Sequence, residues 1–161
     1  MSKIATKACG NIYYDARYNA AKFNGRLNSR EGAAEEMGID RSRLARIELG
    51  STIPYPEEVL LMADMYKSPE LKNHFCREAC PLGKNIPKIE CSSLDRIGLR
   101  AMSSFRKIRE AKEILLDITE DGMIEESEKP ELNRIIEILD EVGSITNSLK
   151  AWVEKNLEGL K

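Results

Sequence analysis

The sequence predicts an all-α protein in two parts, five short helices followed by a long antiparallel helical hairpin. Apolar residues recur at three- and four-residue spacing almost throughout the 161 residues, and no alternating run is long enough to predict a sheet. Glu, Lys, Arg, Leu, Ile and Ala dominate, while aromatic residues make up only 6% of the chain. This composition favours helices over strands, and the 42% of hydrophobic residues indicates a globular chain.

The first three predicted helices are short and have recognisable starts or stops. The first is expected over 12–23, and a polar loop follows it. The second is expected over 29–37, where Gly38 breaks it. The third begins after Asp40, a good N-cap, and ends near Leu49 with Gly50 as its stop.

Prolines open the next two predicted helices, 56–67 and 68–80, because proline is favoured in the first helical turn. The segment 81–92 then carries two prolines and a glycine, which is typical of a linker. We therefore predict a domain over 1–82, a linker over 83–91 and a helical hairpin over 92–161 that serves dimerisation or partner binding.

The two long helices of the hairpin, expected over 92–119 and 129–157, carry heptad-like apolar seams. The seam residues are Leu94, Ile97, Ala101, Ile108, Ala111, Leu115 and Ile118 in the first helix, and Leu132, Ile135, Leu139, Val142, Leu149 and Val153 in the second. A further stripe, Ile138, Ile145 and Trp152, repeats every seven residues. We expect a second copy of the chain to bury this stripe; packing within one chain is the alternative.

The segment 29–50 has the spacing of two helices that cross closely at a tight turn. Ala34 offers a small side chain where the helices touch, and Gly38 tolerates the positive φ that the turn needs. Leu44 and Ile47 would bury one stripe of the second helix, which ends at Gly50.

The opposite face of that helix holds Arg41, Ser42, Arg43 and Arg46. Arginine pairs with guanine through two hydrogen bonds and also neutralises phosphate, so this face suits the major groove of DNA. Arg30, near the start of the preceding helix, is well placed for the DNA backbone. The alternative is an ordinary helical pair with a solvated basic face.

This segment resembles the Cro/C1-type (XRE) family of helix-turn-helix regulators. The residues that match are Arg30-Glu31, Ala33-Ala34, Gly38-Ile39, Leu44, Arg46-Ile47-Glu48, Gly50 and Pro54. The resemblance covers 12–80 and implies a five-helix lambda-repressor-like domain. It implies that Arg41, Ser42 and Arg46 read bases and that Arg30 and Arg43 hold phosphates.

Two features depart from the family pattern. Arg30 stands where the family usually has glutamine, and the connection between the first two helices is longer than the family's usual few residues. The resemblance also makes Arg17 a candidate partner for Glu48.

We expect a sequence-specific regulator of transcription, a repressor, that binds double-stranded DNA as a homodimer. An antitoxin or a protein-interaction adaptor that uses the hairpin to bind an unidentified protein is the alternative.

Other chemistry is less well supported by the sequence. His74, Cys76, Cys80 and Cys91 could form a zinc site, but the usual two-residue knuckle spacing is missing. A reduced Cys76 in the core and a redox pair of Cys80 with Cys91 are the alternatives.

We expect no enzyme, no cofactor and no membrane segment, and a cytoplasmic location. The net charge of −2 is unusual for a DNA-binding protein, but residues 117–141 alone hold ten acids against two bases.

Overall fold

The computed structural model describes residues 7–90, 92–119 and 124–157. This part of the chain contains α-helices and two 3₁₀ helices, with no strand, which confirms the all-helical prediction for the described residues. The helices are α1 (Ile12–Ala20), α2 (Arg30–Met37), α3 (Arg41–Glu48), α4 (Pro56–Met65), α5 (Glu70–Glu78), α6 (Leu94–Thr119) and α7 (Lys129–Asn156). None of the helices in these ranges is long and apolar enough to cross a membrane.

The chain divides into two compact units, Met1–Ile86 and Pro87–Lys161. The first unit has one hydrophobic core, to which α1 to α5 all contribute. Its most deeply buried apolar side chains are Leu27, Ala33, Leu44, Ile47, Val59, Met62 and Leu71. Leu27 belongs to a 3₁₀ helix, Gly25–Asn28, in the segment that the sequence predicted as a polar loop. This single leucine is fully buried, and its burial explains why the segment is ordered against the core.

Local hydrogen bonds and one glycine set the boundaries of α2 and α3. The Ser29 hydroxyl accepts a hydrogen bond from the Gly32 N–H and so caps α2. Gly38 ends α2 in the left-handed conformation, with φ 66° and ψ 29°. The Asp40 carboxylate accepts from the Arg43 N–H and caps α3, so only three residues separate the two helices.

In the second unit, α6 and α7 pack against each other and run in opposite directions. Lys107 pairs with Glu141 at 2.6 Å, and Glu110 pairs with Arg134 at 3.6 Å, so positions rise along one helix as they fall along the other. Between the helices lies a small core of Ala111, Ile118, Ile135 and Ile138.

The expected apolar seams of this unit are wrong in part, since Leu94 and Leu115 of the α6 seam are exposed and α7 departs further. Ile138 and Ile145, which we assigned to the free stripe, are buried, whereas the expected seam residues Leu139 and Leu149 are exposed. Ile138 is buried because it packs against α6 in the small core between the helices, and further along α7 also binds the segment that precedes α6. The Ser144 hydroxyl donates to the Lys88 carbonyl at 2.7 Å, and the Glu90 N–H donates to the buried Ser148 hydroxyl at 3.1 Å. The spacing of apolar residues in the sequence cannot predict such polar contacts.

Two helical glycines predict opposite effects of alanine on stability. A Cβ at Gly32 would lie 2.3 Å from the backbone oxygen of Arg26, so Gly32→Ala should reduce the free energy of unfolding by about 1–3 kcal/mol. A Cβ at Gly98, within α6, would meet nothing within 4 Å. Gly98→Ala should therefore raise stability by about 0.5–1 kcal/mol. Urea unfolding followed by circular dichroism measures both, and a stabilising Gly32→Ala would contradict the close packing of α2 on the 3₁₀ helix.

Candidate nucleic-acid interface

Three polar side chains lie exposed on one face of α3. Arg41, Ser42 and Arg46 are all exposed, while Leu44 and Ile47 on the opposite face are buried in the core. At 3.6 residues per turn, the three exposed positions span less than half of the helix circumference. The structure therefore brings the predicted base-reading residues together on one surface, which we call the α3 face.

A buried carboxylate fixes the end of α3. Glu48 has no exposed surface, and its Oε1 accepts from Arg17 Nε at 2.5 Å. Its Oε2 accepts from Arg17 Nη2 at 3.0 Å and from Arg30 Nε at 2.6 Å. Arg17 Nη1 also donates to the Leu27 carbonyl at 2.7 Å. The Arg17–Glu48 pair expected from the family resemblance is confirmed, and it joins α3 to α1, α2 and the 3₁₀ helix.

The surroundings of Arg17 favour its charged form. Burial by itself lowers the pKa of Arg17, but the hydrogen bond and the negative charge of Glu48 more than offset burial, so the pKa is raised. Two guanidinium groups share one carboxylate, so the cluster keeps a formal charge of about +1. The sequence did not indicate the contribution of Arg30, whose side chain is 25% exposed.

Arg43 lies in a second ion pair, at the start of α4. Its Nε and Nη2 donate to the two carboxylate oxygens of Glu58, the second at 2.8 Å. Its guanidinium carbon lies 4.0 Å from the centre of the Tyr55 ring. The hydrogen bond from Arg43 holds the pKa of Glu58 below its usual value, and Glu58 raises the pKa of Arg43. Because Glu58 already neutralises Arg43, these contacts favour a positioning role over the phosphate contact that we predicted.

A third contact comes from Asn11, which the sequence analysis missed. Its Oδ1 accepts from the N–H groups of Tyr13 and Tyr14 and caps α1. Its Nδ2 donates to the Ile47 carbonyl at 3.1 Å, near the end of α3. An asparagine before a helix does predict a cap, but no local pattern predicts its second bond 36 residues away.

The proposed zinc ligands do not form a complete set in the described residues. His74, Cys76 and Cys80 lie on or just after α5 and are half-buried, which differs from the alternative of a Cys76 buried in the core. Cys91 lies outside the described residues, and so the redox pair with Cys80 does too. In the ranges that the structure covers, no group of three His, Cys, Asp or Glu side chains could hold a metal ion.

No protein-family model, curated protein or solved structure matches the chain. The role of the α3 face is therefore inferred from its own geometry and charge.

The Glu48 cluster predicts a large loss of stability on neutralisation. Glu48→Gln leaves the buried Arg17 and the partly buried Arg30 without their counter-charge, which should cost about 3–5 kcal/mol. Glu36→Gln is the control, because its pair with the exposed Arg26 spans 3.5 Å and should be worth about 1 kcal/mol at most. Thermal and urea unfolding compare the two variants, and equal losses would contradict the importance of the buried cluster.

The lowered pKa of Glu58 predicts a pH-dependent contribution to stability. A carboxyl group with a depressed pKa stabilises the folded state above its ordinary pKa of 4.5, and the contribution disappears as pH falls through the folded value. Glu58→Gln should therefore lower the melting temperature at pH 7, and the gap from the unchanged protein should close below about pH 4.5. A gap that is constant between pH 7 and pH 3 would show that the negative charge of Glu58 does not contribute to the stability of the fold.

Proposed function

We propose that this chain is a sequence-specific regulator of transcription, a repressor, that binds double-stranded DNA. In this proposal α2 and α3 form a helix-turn-helix, and α3 enters the major groove. One observation carries the proposal: Arg41, Ser42 and Arg46 are exposed together on a helix whose other face is anchored in the core.

The chemistry of the α3 face suits recognition of base edges. The major groove is about 12 Å wide, which matches the diameter of an α-helix with its side chains. Arg41 and Arg46 can each donate two hydrogen bonds to O6 and N7 of a guanine, and the Ser42 hydroxyl can donate or accept at other bases. Three separate anchors on α3, at Asn11, Glu48 and Glu58, limit its movement and so keep these groups in register.

The ion pairs of Arg30 and Arg43 support different roles for the two arginines predicted to contact phosphate. Arg30 belongs to a cluster that keeps an excess positive charge, and it is the first residue of α2, whose amino end favours anions. Arg30 therefore remains the candidate phosphate contact. Arg43 forms a neutral pair with Glu58, and we assign it to holding α3 against α4.

We also propose that the first unit is a lambda-repressor-like domain of the Cro/C1 type. Support comes from the order of five short helices, from Gly38 in the left-handed conformation at a three-residue turn, and from the buried Arg17–Glu48 pair.

Selection of binding sites from a random duplex library tests the proposal, and Arg46→Ala then tests the α3 face. Losing one bidentate contact should weaken binding to the selected duplex by about 1–3 kcal/mol, which is about 5- to 150-fold. Binding to a scrambled duplex should fall much less. Arg26→Ala is the matched control, since Arg26 is an exposed arginine of the same unit outside α3. Fluorescence anisotropy gives both affinities, and an equal loss on both duplexes would contradict base reading.

Salt dependence separates the roles of Arg30 and Arg43. Removing a phosphate contact should reduce the slope of log affinity against log salt by about 0.9. Arg30→Gln should do so. Arg43→Gln combined with Glu58→Gln removes a neutral pair and should leave the slope unchanged. If the double variant also reduced the slope, the result would support the original prediction that Arg43 contacts a DNA phosphate.

A further inference from the structure

The hairpin of the second unit has two different sides. Four buried residues recur every seven positions along α6 and mark the line that faces α7: Ile97, Ser104, Ala111 and Ile118. The buried Ile138 and Ile145, also seven apart, mark the corresponding line of α7. Counting from either line, residues one or five positions later point to one side of the hairpin, and residues two, three or six positions later point to the other.

An ion pair shows that equal counts along the two helices fall on the same side. Lys107 stands three positions after Ser104, and Glu141 stands three positions after Ile138. The charged groups of Lys107 and Glu141 lie 2.6 Å apart, so both point to one side, which we call the ion-paired side. Two more ion pairs belong to this side by the same count, Arg134–Glu110 and Arg100–Glu90.

The opposite side is apolar and exposed. Five large apolar residues that stand one or five positions after the facing lines are 49–66% exposed: Met102, Phe105, Leu116, Ile136 and Leu139. Together they present about 400 Å² of apolar surface, which is the size of patch that is typical of interaction surfaces. We call this side the hairpin groove, because it runs between the two helices.

The charges of the hairpin groove are all positive. Over 98–119 and 129–153, the positions one or five after the facing lines hold four bases and no acid. These bases are Arg109, Lys112, Lys129 and Lys150. Lys129 pairs with Glu126 of the loop, and Lys112 pairs at 3.7 Å with its exposed neighbour Glu113. Arg109 and Lys150 are exposed and form no ion pair with any residue that the structure describes.

We propose that an acidic amphipathic α-helix of a partner protein binds the hairpin groove and completes a three-helix bundle. Two helices that lie side by side leave a groove that the apolar stripe of a third helix fills. The seven-residue repeat of the facing lines suits a partner helix with the same repeat. Acidic side chains on either side of its apolar stripe would then meet Arg109, Lys112 and Lys150.

The charge and shape of the groove disfavour other occupants. If two copies of the chain met groove to groove, these three bases would face the same bases of the other copy, without acids at these positions to offset them. An anionic membrane would neutralise the bases. However, an interfacial helix inserts a convex apolar face into lipid, whereas the space between two helices is concave.

Two synthetic peptides of three heptads test the chemistry of the partner. Both carry leucine and isoleucine at the apolar heptad positions, and the flanking positions are all glutamate in one and all lysine in the other. Like charges at these positions keep each peptide from pairing with itself. Fluorescence anisotropy with the full chain should show that the glutamate peptide binds at least about 10-fold more tightly than the lysine peptide. No binding of the glutamate peptide at about 100 µM chain, or equal binding of both peptides, would overturn the proposal.

Variants locate the binding surface. Phe105→Asn with Leu139→Asn should weaken binding of the glutamate peptide at least about 10-fold while the helical circular dichroism signal is kept. Arg109→Glu with Lys112→Glu should reverse the preference, so that the lysine peptide binds more tightly. Arg96→Glu with Arg106→Glu is the matched control, because it makes the same change in net charge at exposed residues of the other side of α6. An equal effect of the control pair would show that total charge, and not the hairpin groove, attracts the peptide.

The same variants test the other occupants. The full chain should not sediment with vesicles of equal parts phosphatidylserine and phosphatidylcholine, and light scattering should show no dimer that depends on Phe105 and Leu139. Sedimentation with the vesicles that Phe105→Asn with Leu139→Asn abolishes would assign the groove to a membrane. A dimer that the same variant abolishes would assign it to a second copy. Either result would overturn the proposal. Since no DNA is present, these outcomes are independent of the proposed DNA binding.

Discussion

The geometry of the first unit depends on the carboxylate of Glu48, which lies without solvent exposure between two guanidinium groups. A buried charge is costly unless its hydrogen bonds are satisfied, and here both oxygens accept from arginine. The carboxylate belongs to the last residue of α3, and its partners lie on α1 and α2. One side chain thus sets the angle between the helix that carries the exposed arginines and the two helices beneath it.

The remaining anchors act on other parts of the same helix. Glu58 holds Arg43, near the start of α3, and Asn11 holds the Ile47 carbonyl near its end. A helix of eight residues has too few internal hydrogen bonds to be stable alone, so tertiary contacts have to maintain it. Because these tertiary contacts come from three different elements, they preorganise the exposed side chains of α3 before any ligand binds.

The positions of the helices and one long-range ion pair could be predicted from the sequence. Periodicity, caps and glycine conformation located the helices, because each depends on residues within one or two turns. The three-residue turn at Gly38 and the N-cap at Asp40 are examples. Contacts between distant residues were accessible only through the family resemblance, as for Arg17 and Glu48. The Arg43–Glu58 pair, 15 residues apart, has no local signature. The face that α7 turns to the segment before α6 could not be predicted, because Ser144 and Ser148 bind that segment through polar atoms.

The imbalance of two cations to one anion around Glu48 also has an effect at a distance. The excess positive charge is shared between the buried Arg17 and Arg30, whose side chain is only 25% exposed, so dissolved ions approach it less closely than they approach a fully exposed arginine. Salt therefore screens this charge less than it screens the fully exposed arginines of α3. A chain whose total charge is slightly negative can in this way hold a local positive potential beside the arginines of α3.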